Sequence, residues 1–408
     1  MKFKRIAALL LCLTVYTCML SGCALKEIVQ RYTDPTAFDW QAVTFTERGY
    51  QSLTTETERK FYAYFDRYVH SDTPEQFRFD YTENIAVFAK VSDIYLLDHP
   101  EVFWVNGNNT LEVYSYGEDY MLITVAYTAE GETLQQMKQA LETAVAEVLA
   151  TVPADSSDYE KELLFNDWLV DHADYNTEAA ESTENVLGNE HNAYGAMVEH
   201  SCVCDGYAAA FKLLCDRVGI ENSIILGTAE TDGAVNFHAW NAVQLDGEWY
   251  QTDVTWNEAA EATAEGIGRY LNFNLTTEQI QLTHTVMPLY DAEGEVDLTQ
   301  PYNAFVPECT ATEYNYFLHT FPTFDDVESE AFAEALAEQA AKGADYFVCN
   351  LPENADYDEV YNALQQGIAA RQMQKANEIN AGGVQLTPQS YIMRDDTNRV
   401  VILKLSYN

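Results

Sequence analysis

A cysteine, a histidine and an aspartate in the middle of the chain have the types and spacing of a thiol catalytic triad. Cys204 directly precedes a run in which apolar residues recur at helical spacing, so we predict that it lies at the start of a helix. The free backbone N–H groups and the dipole at that end stabilise a thiolate and a developing oxyanion. His238 would take the thiol proton, and Asp253 would orient and stabilise the imidazolium. The predicted chemistry is attack by sulfur on a carbonyl carbon.

The segment that joins His238 to Asp253 carries the signal of a β-hairpin. Two aromatic, β-rich runs flank an Asp-Gly pair at residues 246–247, which is typical of a two-residue turn. Pairing across that turn places His238 opposite Thr255, with Asp253 two residues earlier on the same face. Diagonal neighbours of this kind lie about 7 Å apart or closer. We therefore predict that Asp253 fixes the tautomer and orientation of the His238 ring.

Three motifs around these residues resemble those of the bacterial transglutaminase-like superfamily. They are Cys204–Ala208 (CDGYA), His238–Asn241 (HAWN) and Trp249–Trp256 (WYQTDVTW), and their order and spacing match as well. The resemblance is sharp over residues 155–260. It extends more weakly to residues 98–104 and to Cys309, which look similar to features of exported members.

This resemblance implies a papain-like α+β core, in which the helix that carries the cysteine packs on an antiparallel sheet. It implies attack on carboxamides through a thioester, with Cys204 as nucleophile, His238 as base and Asp253 as orienting residue. One departure is Cys202, where many members carry glycine. A second thiol so close to the nucleophile is an oxidation liability, but it removes no member of the triad.

Four further side chains near the motifs are candidates for a substrate cleft: Trp240, Asn241, Trp256 and Tyr194. Aromatic residues on a hairpin are as often core residues, so that alternative stays open. Residues 191–194 are candidate oxyanion donors. The segment 200–204 offers soft ligands for Zn²⁺, but its spacing is unusual for zinc and no second cysteine pair follows. With no phosphate-binding loop either, we predict no metal and no cofactor.

The first residues of the chain have the pattern of an export signal. A positively charged start precedes an apolar run over residues 6–20, which is too short for a stable membrane span. The run ends in Leu-Ser-Gly-Cys at Cys23 and resembles a bacterial lipobox, in which Cys23 becomes the lipidated first residue. An ordinary signal peptide is the alternative. We predict an exported protein, anchored by lipid on Cys23 at the extracytoplasmic face of the cell membrane.

Composition narrows the range of partners. The 408 residues carry a formal charge of −43, which disfavours nucleic acid and anionic lipid surfaces. Five of the eight cysteines follow Cys23, too few for a disulfide scaffold and odd in number, so at least one thiol is unpaired unless another chain supplies a partner. Calcium dependence is conceivable for so acidic a surface, yet no EF-hand-like spacing supports it.

The remaining pattern predicts flanking α+β and small α/β domains around the catalytic core. The predicted divisions are a signal peptide (1–22), a lipidated tether (23–50), an N-terminal α+β domain (51–152), the transglutaminase-like domain (153–310) and a C-terminal α/β domain (311–408). The expected substrate is a peptide or protein at the cell surface, with cell-wall peptides among the candidates. We favour hydrolysis, because many bacterial members of the superfamily look like thiol peptidases. Protein-glutamine acyl transfer and a non-catalytic binding module are the alternatives.

Overall fold

The computed structural model describes residues 36–105, 110–182, 188–231, 233–261, 266–290, 302–388 and 391–408. The predicted signal peptide, Cys23 and the tether up to residue 35 lie outside the described residues. Within these ranges, no helix has the length and apolar character needed to cross a membrane.

The N-terminal segment packs helices against a three-stranded antiparallel sheet of order β1-β3-β2. The elements are α1 (Arg48–Ser52), α2 (Glu56–Val69), β1 (Gln76–Asp80), α3 (Ala86–Asp98), β2 (Leu111–Tyr116), β3 (Tyr120–Val125) and α4 (Gly131–Leu149). A reciprocal capping box between Thr55 and Glu58 sets the start of α2. The α+β prediction for this segment is confirmed. Residues 102–105 form no regular strand, and Val105 makes an isolated bridge with Tyr127.

The central segment packs helices on a four-stranded antiparallel sheet of order β8-β7-β6-β9. The elements are α5 (Asp158–His172), β4 (Asp174–Tyr175), α6 (Thr177–Ala180), β5 (Ser201–Cys202), α7 (Cys204–Arg217), β6 (Asn222–Thr231), β7 (Ala234–Leu245), β8 (Glu248–Thr252), α8 (Val254–Glu261), α9 (Thr277–Ile280) and β9 (His284–Val286). Helix α7 lies against the sheet, where the Asn241 side chain donates a 3.0 Å hydrogen bond to the Ala208 carbonyl. The predicted core, a cysteine-bearing helix on an antiparallel sheet, is confirmed.

The β7–β8 hairpin has the predicted two-residue turn. Asp246 and Gly247 have φ values of 50° and 88°, the left-handed pair that a type I′ turn requires. Leu245 pairs with Glu248 as predicted, and the same register continues along the hairpin.

The hairpin ends sooner than the sequence pattern predicts. Its last pair joins Asn241 to Thr252, and the chain turns directly into α8 after Asp253. The reason is that Asp253 caps α8, since its Oδ1 accepts a 3.1 Å hydrogen bond from the backbone N–H of Trp256. The predicted pairing of His238 with Thr255 is therefore wrong, although the register that led to it is correct.

The C-terminal segment forms a small unit of helices around a three-stranded sheet of order β10-β12-β11. The elements are α10 (Tyr316–Thr320), α11 (Glu330–Ala341), β10 (Tyr346–Asn350), α12 (Tyr357–Ala363), α13 (Ala369–Ile379), β11 (Ile392–Asp395) and β12 (Val400–Lys404). All strand pairs are antiparallel, so the unit is α+β rather than α/β. Between α12 and α13 the helical geometry is interrupted at residues 364–368, where Gly367 has a φ of 117°.

The buried apolar residues form one large core, one smaller core and a cluster of three residues, Ile225, Trp240 and Ala242. The large core includes buried side chains from Phe45 to Phe317, on both sides of the predicted boundary at residue 152, and also Val348, Val400 and Ile402. The smaller core belongs to the C-terminal segment and runs from Val327 to Leu405. The N-terminal and central segments therefore support each other directly, and the predicted domain boundaries remain predictions.

Candidate active site

Cys204 is the first residue of α7, as predicted, and 7% of its surface is exposed. The N–H groups of the first helical turn have no intrahelical acceptor, so they present positive charge beside the sulfur. Gly206 allows the preceding chain to approach this turn, because a Cβ at Gly206 would lie 2.5 Å from the Glu190 carbonyl oxygen. The first turn of α7 is therefore closely packed against the preceding chain, while Cys204 keeps a small exposed fraction.

His238 and Asp253 form a buried hydrogen-bonded pair. Nε2 of His238 lies 2.8 Å from Oδ2 of Asp253, and the two residues are 6% and 0% exposed. The Cys204 side chain lies close enough to the His238 ring to raise its pKa. Because Nε2 is bonded to the carboxylate, Nδ1 is left for the thiol. The structure therefore brings the three predicted triad residues together in the order sulfur, imidazole, carboxylate.

The electrostatics of the pair favour its charged form. Burial lowers the pKa of His238, but the adjacent Asp253 carboxylate and the contact with Cys204 outweigh it and raise the pKa to about 10. Burial likewise raises the pKa of Asp253, yet the charge and hydrogen bond of His238, together with those of His284, hold it well below its usual range. At neutral pH the arrangement is an imidazolium facing a carboxylate on one side and sulfur on the other.

A second imidazole, which the sequence pattern did not place in the site, contacts the same carboxylate. Nε2 of His284 lies 3.1 Å from Oδ2 of Asp253. Strand β9 brings His284 there by pairing with β6, where His284 lies opposite Ala229. No local signal in the sequence indicates this contact, because 31 residues separate His284 from Asp253.

Two of the four cleft candidates are buried supports rather than cleft residues. Trp240 and Asn241 are each 1% exposed, so neither side chain offers a surface to a substrate. Trp240 donates from Nε1 to the Gln251 side chain at 2.7 Å, and its ring lies 6.1 Å from that of His238. The prediction that Trp240 and Asn241 line the cleft is therefore corrected.

The other two cleft candidates are partly exposed but differ in position. The ring of Trp256 lies 6.0 Å from that of His238, so Trp256 remains a candidate at the site. Tyr194 stacks on Phe103 of the N-terminal segment, with ring centroids 4.9 Å apart. Tyr175, 40% exposed, is an additional candidate, because β4 pairs it with Cys202, two residues before Cys204.

The candidate oxyanion donors at residues 191–194 bond to other groups. His191 lies 2.8 Å from the Asp205 carboxylate through Nδ1, and this hydrogen bond raises the pKa of His191. The Asn192 side chain accepts from the backbone N–H of Tyr194 and donates weakly to the Phe103 carbonyl. The backbone N–H groups at the start of α7 remain candidate oxyanion donors.

A cavity of about 420 Å³ lies beside the first turn of α7. Asp205 and Ala209 of α7 line one wall, together with Phe237, which is the neighbour of His238 in β7. Leu97 and Phe103 of the N-terminal segment line the opposite wall. Apolar side chains predominate, with a few polar groups, which is the usual composition of a small-ligand or side-chain pocket.

The residues that could hold a metal ion are part of the same cluster. Nε2 of His238 and His284 and a carboxylate oxygen of Asp253 lie within 4.8 Å of one another, and two imidazoles with a carboxylate are a donor set that Zn²⁺ uses. Both nitrogen–oxygen distances, however, are hydrogen-bond lengths, and the ionised carboxylate supplies no proton of its own. Two hydrogen bonds, one donated by Nε2–H of each histidine to Asp253, therefore explain why these three side chains lie together.

The cysteines of the described residues are unpaired. Cys202, Cys204, Cys215, Cys309 and Cys349 are all free and buried. Burial raises the pKa of Cys202 well above its usual range, which keeps that neighbouring sulfur in the thiol form at neutral pH.

Comparison with known proteins gives a family for the central segment. A family model described as the transglutaminase-like superfamily matches residues 145–254. The kyphoscoliosis peptidase of Mus musculus is 29% identical over 108 residues, which are 24% of this chain and 16% of that protein. The protein of the same name from Homo sapiens is 28% identical over 97 residues, which are 22% of this chain and 14% of that one. The chain thus spans about a sixth of the length of these curated relatives.

Two solved structures are also similar in part. A TGase crystal structure has a TM-score of 0.26 at 12% identity, over 47% of this chain and 56% of that chain. A proposed cysteine protease from Cytophaga hutchinsonii has a TM-score of 0.23 at 15% identity, over 36% of this chain and 61% of that chain. On the family match, residues 145–254 are a domain of the transglutaminase-like superfamily.

Proposed function

We propose that this transglutaminase-like domain is a thiol enzyme that attacks carboxamide bonds of peptides or proteins through an acyl-thioester. The observation that carries the proposal is the 2.8 Å pair of His238 and Asp253, with His238 beside the Cys204 thiol at the start of α7. A nucleophile, a base and an orienting carboxylate in this order are the requirements for covalent acyl transfer.

The first half-reaction follows from the charges of the site. The sulfur of Cys204, as thiolate, adds to the substrate carbonyl carbon, and the resulting oxyanion lies near the N–H groups of the first turn of α7. His238 then gives its Nδ1 proton to the leaving amine as the carbon–nitrogen bond breaks. The products of this step are a free amine and an acyl-thioester on Cys204. Asp253 remains ionised throughout and stabilises the imidazolium.

Water completes the reaction in the version that we favour. His238, now neutral, takes a proton from water, whose oxygen attacks the thioester and releases a carboxylic acid and the Cys204 thiolate. An amine in place of water would give transamidation. The matched relatives from mouse and human are named peptidases, which favours hydrolysis.

A non-catalytic binding module is the second candidate. A surface module that only binds a partner has no need for a buried imidazole–carboxylate pair beside a thiol, whereas this chain places the pair next to Cys204. That difference favours the enzyme.

The setting that we propose is the outer face of the cell membrane. The charged start, the short apolar run and the Leu-Ser-Gly-Cys motif at Cys23 support export and lipid anchoring. We propose that the substrate is a peptide or protein at the cell surface, with cell-wall peptides among the candidates.

The experiment that tests the enzyme is product analysis by mass spectrometry. The protein is incubated with a peptide library that contains glutamine, asparagine and cell-wall stem peptides, with and without lysine as an amine acceptor. We expect hydrolysis products from the unaltered protein and none from Cys204→Ala. Cys202→Ala is the matched control, because it removes a thiol two positions away and should leave the products unchanged. Products that persist in Cys204→Ala would overturn the proposal.

A further inference from the structure

His284 is a buried imidazole that the proposed chemistry does not use. Its side chain is 0% exposed, and Nε2 lies 3.1 Å from Oδ2 of Asp253. Its other ring nitrogen, Nδ1, lies 2.8 Å from the hydroxyl of Thr283. A polar ring enclosed in this way must be satisfied on both sides, and each of its nitrogens has one partner.

The direction of the bond to Asp253 follows from the charge of the carboxylate. Asp253 is ionised and fully buried, so its oxygens accept hydrogen bonds and donate none. Nε2 of His284 must therefore carry a proton and donate it, whether the ring is neutral or cationic. Oδ2 then accepts from two imidazoles, while Oδ1 accepts from the backbone N–H of Trp256. Three donors fix the plane of this carboxylate.

Two indole rings hold His284 in place. The Trp240 ring lies 4.9 Å away at 67°, and the Trp256 ring lies 4.6 Å away at 55°. Trp240 is itself held by the bond from Nε1 to Gln251. The imidazole of His284 therefore cannot rotate away from Asp253 without moving one of these rings.

We propose that His284 is a positioning residue of the triad, which fixes the Asp253 carboxylate in the orientation and ionised state that direct His238 at Cys204. This inference rests on the proposed function. Without the Nε2–H of His284, a buried carboxylate loses one of three donors and takes up a proton more readily. The Asp253 carboxylate then holds the His238 imidazolium less firmly, and the sulfur loses part of its activation.

The test compares two amides that differ in reach. In His284→Gln the side-chain N–H group lies near the position of Nε2 and can still donate to Asp253. In His284→Asn the side-chain N–H group lies near the position of Nδ1 and cannot donate to Asp253. The measurement is the rate at which iodoacetamide alkylates Cys204 between pH 5 and pH 9, located by peptide mapping, so no substrate needs to be known. Asn303→Ala serves as a structural control, because Asn303 bonds to Leu226 of β6 and to Met287 after β9 without touching the triad.

We expect His284→Asn to lower the alkylation rate at pH 6 by about 10- to 100-fold, as loss of a hydrogen bond to a charged group predicts. The acid limb of its pH profile should move to higher pH, whereas His284→Gln and Asn303→Ala should keep the profile of the unaltered protein. Equal profiles for the Asn and Gln variants would overturn the positioning role while leaving the proposed function intact. If Cys204 of the unaltered protein labels no faster than a free cysteine peptide, the proposed function and this inference both fail.

Discussion

Replacing Glu162 with glutamine tests whether the buried Glu162 carboxyl, which lies next to the triad, is protonated in the folded protein. Glu162 is fully buried next to the strand end that carries Asp253, and burial outweighs its hydrogen bonds and raises its pKa to about 8. Its Oε2 accepts from Nδ2 of Asn274 at 2.9 Å, and its Oε1 lies 3.3 Å from the Thr252 hydroxyl. The Thr252 hydroxyl lies 3.1 Å from Oδ1 of Asn274 and donates to it. The single proton of the Thr252 hydroxyl thus has two acceptors in reach, Oδ1 of Asn274 and Oε1 of Glu162.

The magnitude follows from proton linkage. The unfolded chain ionises Glu162 near pH 4.5, whereas the folded chain holds the proton until about pH 8. The unfolded state therefore binds fewer protons between these values, and stability falls as pH rises through that window. Relative to low pH, the free energy of unfolding is lower by about 1 kcal/mol at pH 5 and by about 3 kcal/mol at pH 7. A glutamine side chain can reproduce both hydrogen bonds and carries no such cost.

The assay is urea unfolding of the unaltered protein and of Glu162→Gln at pH 5 and pH 7. We expect the variant to gain about 2 kcal/mol in the free energy of unfolding, relative to the unaltered protein, between pH 5 and pH 7. Glu178→Gln, an exposed glutamate in α6, is the control and should show no such change. A difference between variant and unaltered protein that is the same at both pH values would refute the reasoning.

Three further predictions concern other parts of the structure. Lys90→Met should lower the free energy of unfolding in urea by about 3 kcal/mol, because it leaves the buried Glu58 carboxylate without its 2.7 Å partner. Lys60→Met, at a more exposed pair, should lower it by only about 0–1 kcal/mol. The pair of Lys90 and Glu58 holds the pKa of Glu58 at about 2, so its stabilisation should be present above pH 4.5 and vanish as pH falls through 2 in an acid titration. Gly227→Ala should lower the urea midpoint, since a Cβ there would lie 2.4 Å from a backbone carbonyl oxygen; a cost below about 1 kcal/mol would count against the close packing. Asp253→Asn should lower kcat by about 10³- to 10⁴-fold with KM nearly unchanged, because an amide can donate to Nε2 of His238 and select the wrong tautomer.

The parts of the site that local patterns determine could be predicted from the sequence. The helix start at Cys204 and the hairpin register follow from apolar periodicity and an Asp-Gly turn, each read within a few residues. The end of the hairpin differs from the prediction. Asp253 is a residue type that favours the start of a helix, but the aromatic residues after it also fit a strand, and the strand is what the pattern alone predicts.

The parts that depend on distant segments could not be predicted. His284 reaches Asp253 only because β9 pairs with β6, and Glu162 meets Thr252 from a helix 90 residues earlier in the chain. Periodicity also cannot distinguish an aromatic cleft from an aromatic core, so the sequence leaves both positions open for Trp240. Contacts of this kind arise from tertiary packing, for which a single sequence carries no local signal.

The most direct test of the central claim is the alkylation of Cys204 by iodoacetamide at pH 6, compared with a free cysteine peptide and with His238→Ala. A free thiol with a pKa of about 8.5 is only about 0.3% thiolate at this pH. A thiolate paired with the His238 imidazolium should react at least about 10-fold faster than the peptide, and His238→Ala should lose that advantage. A Cys204 that labels no faster than the peptide, with no effect of His238→Ala, would contradict the account.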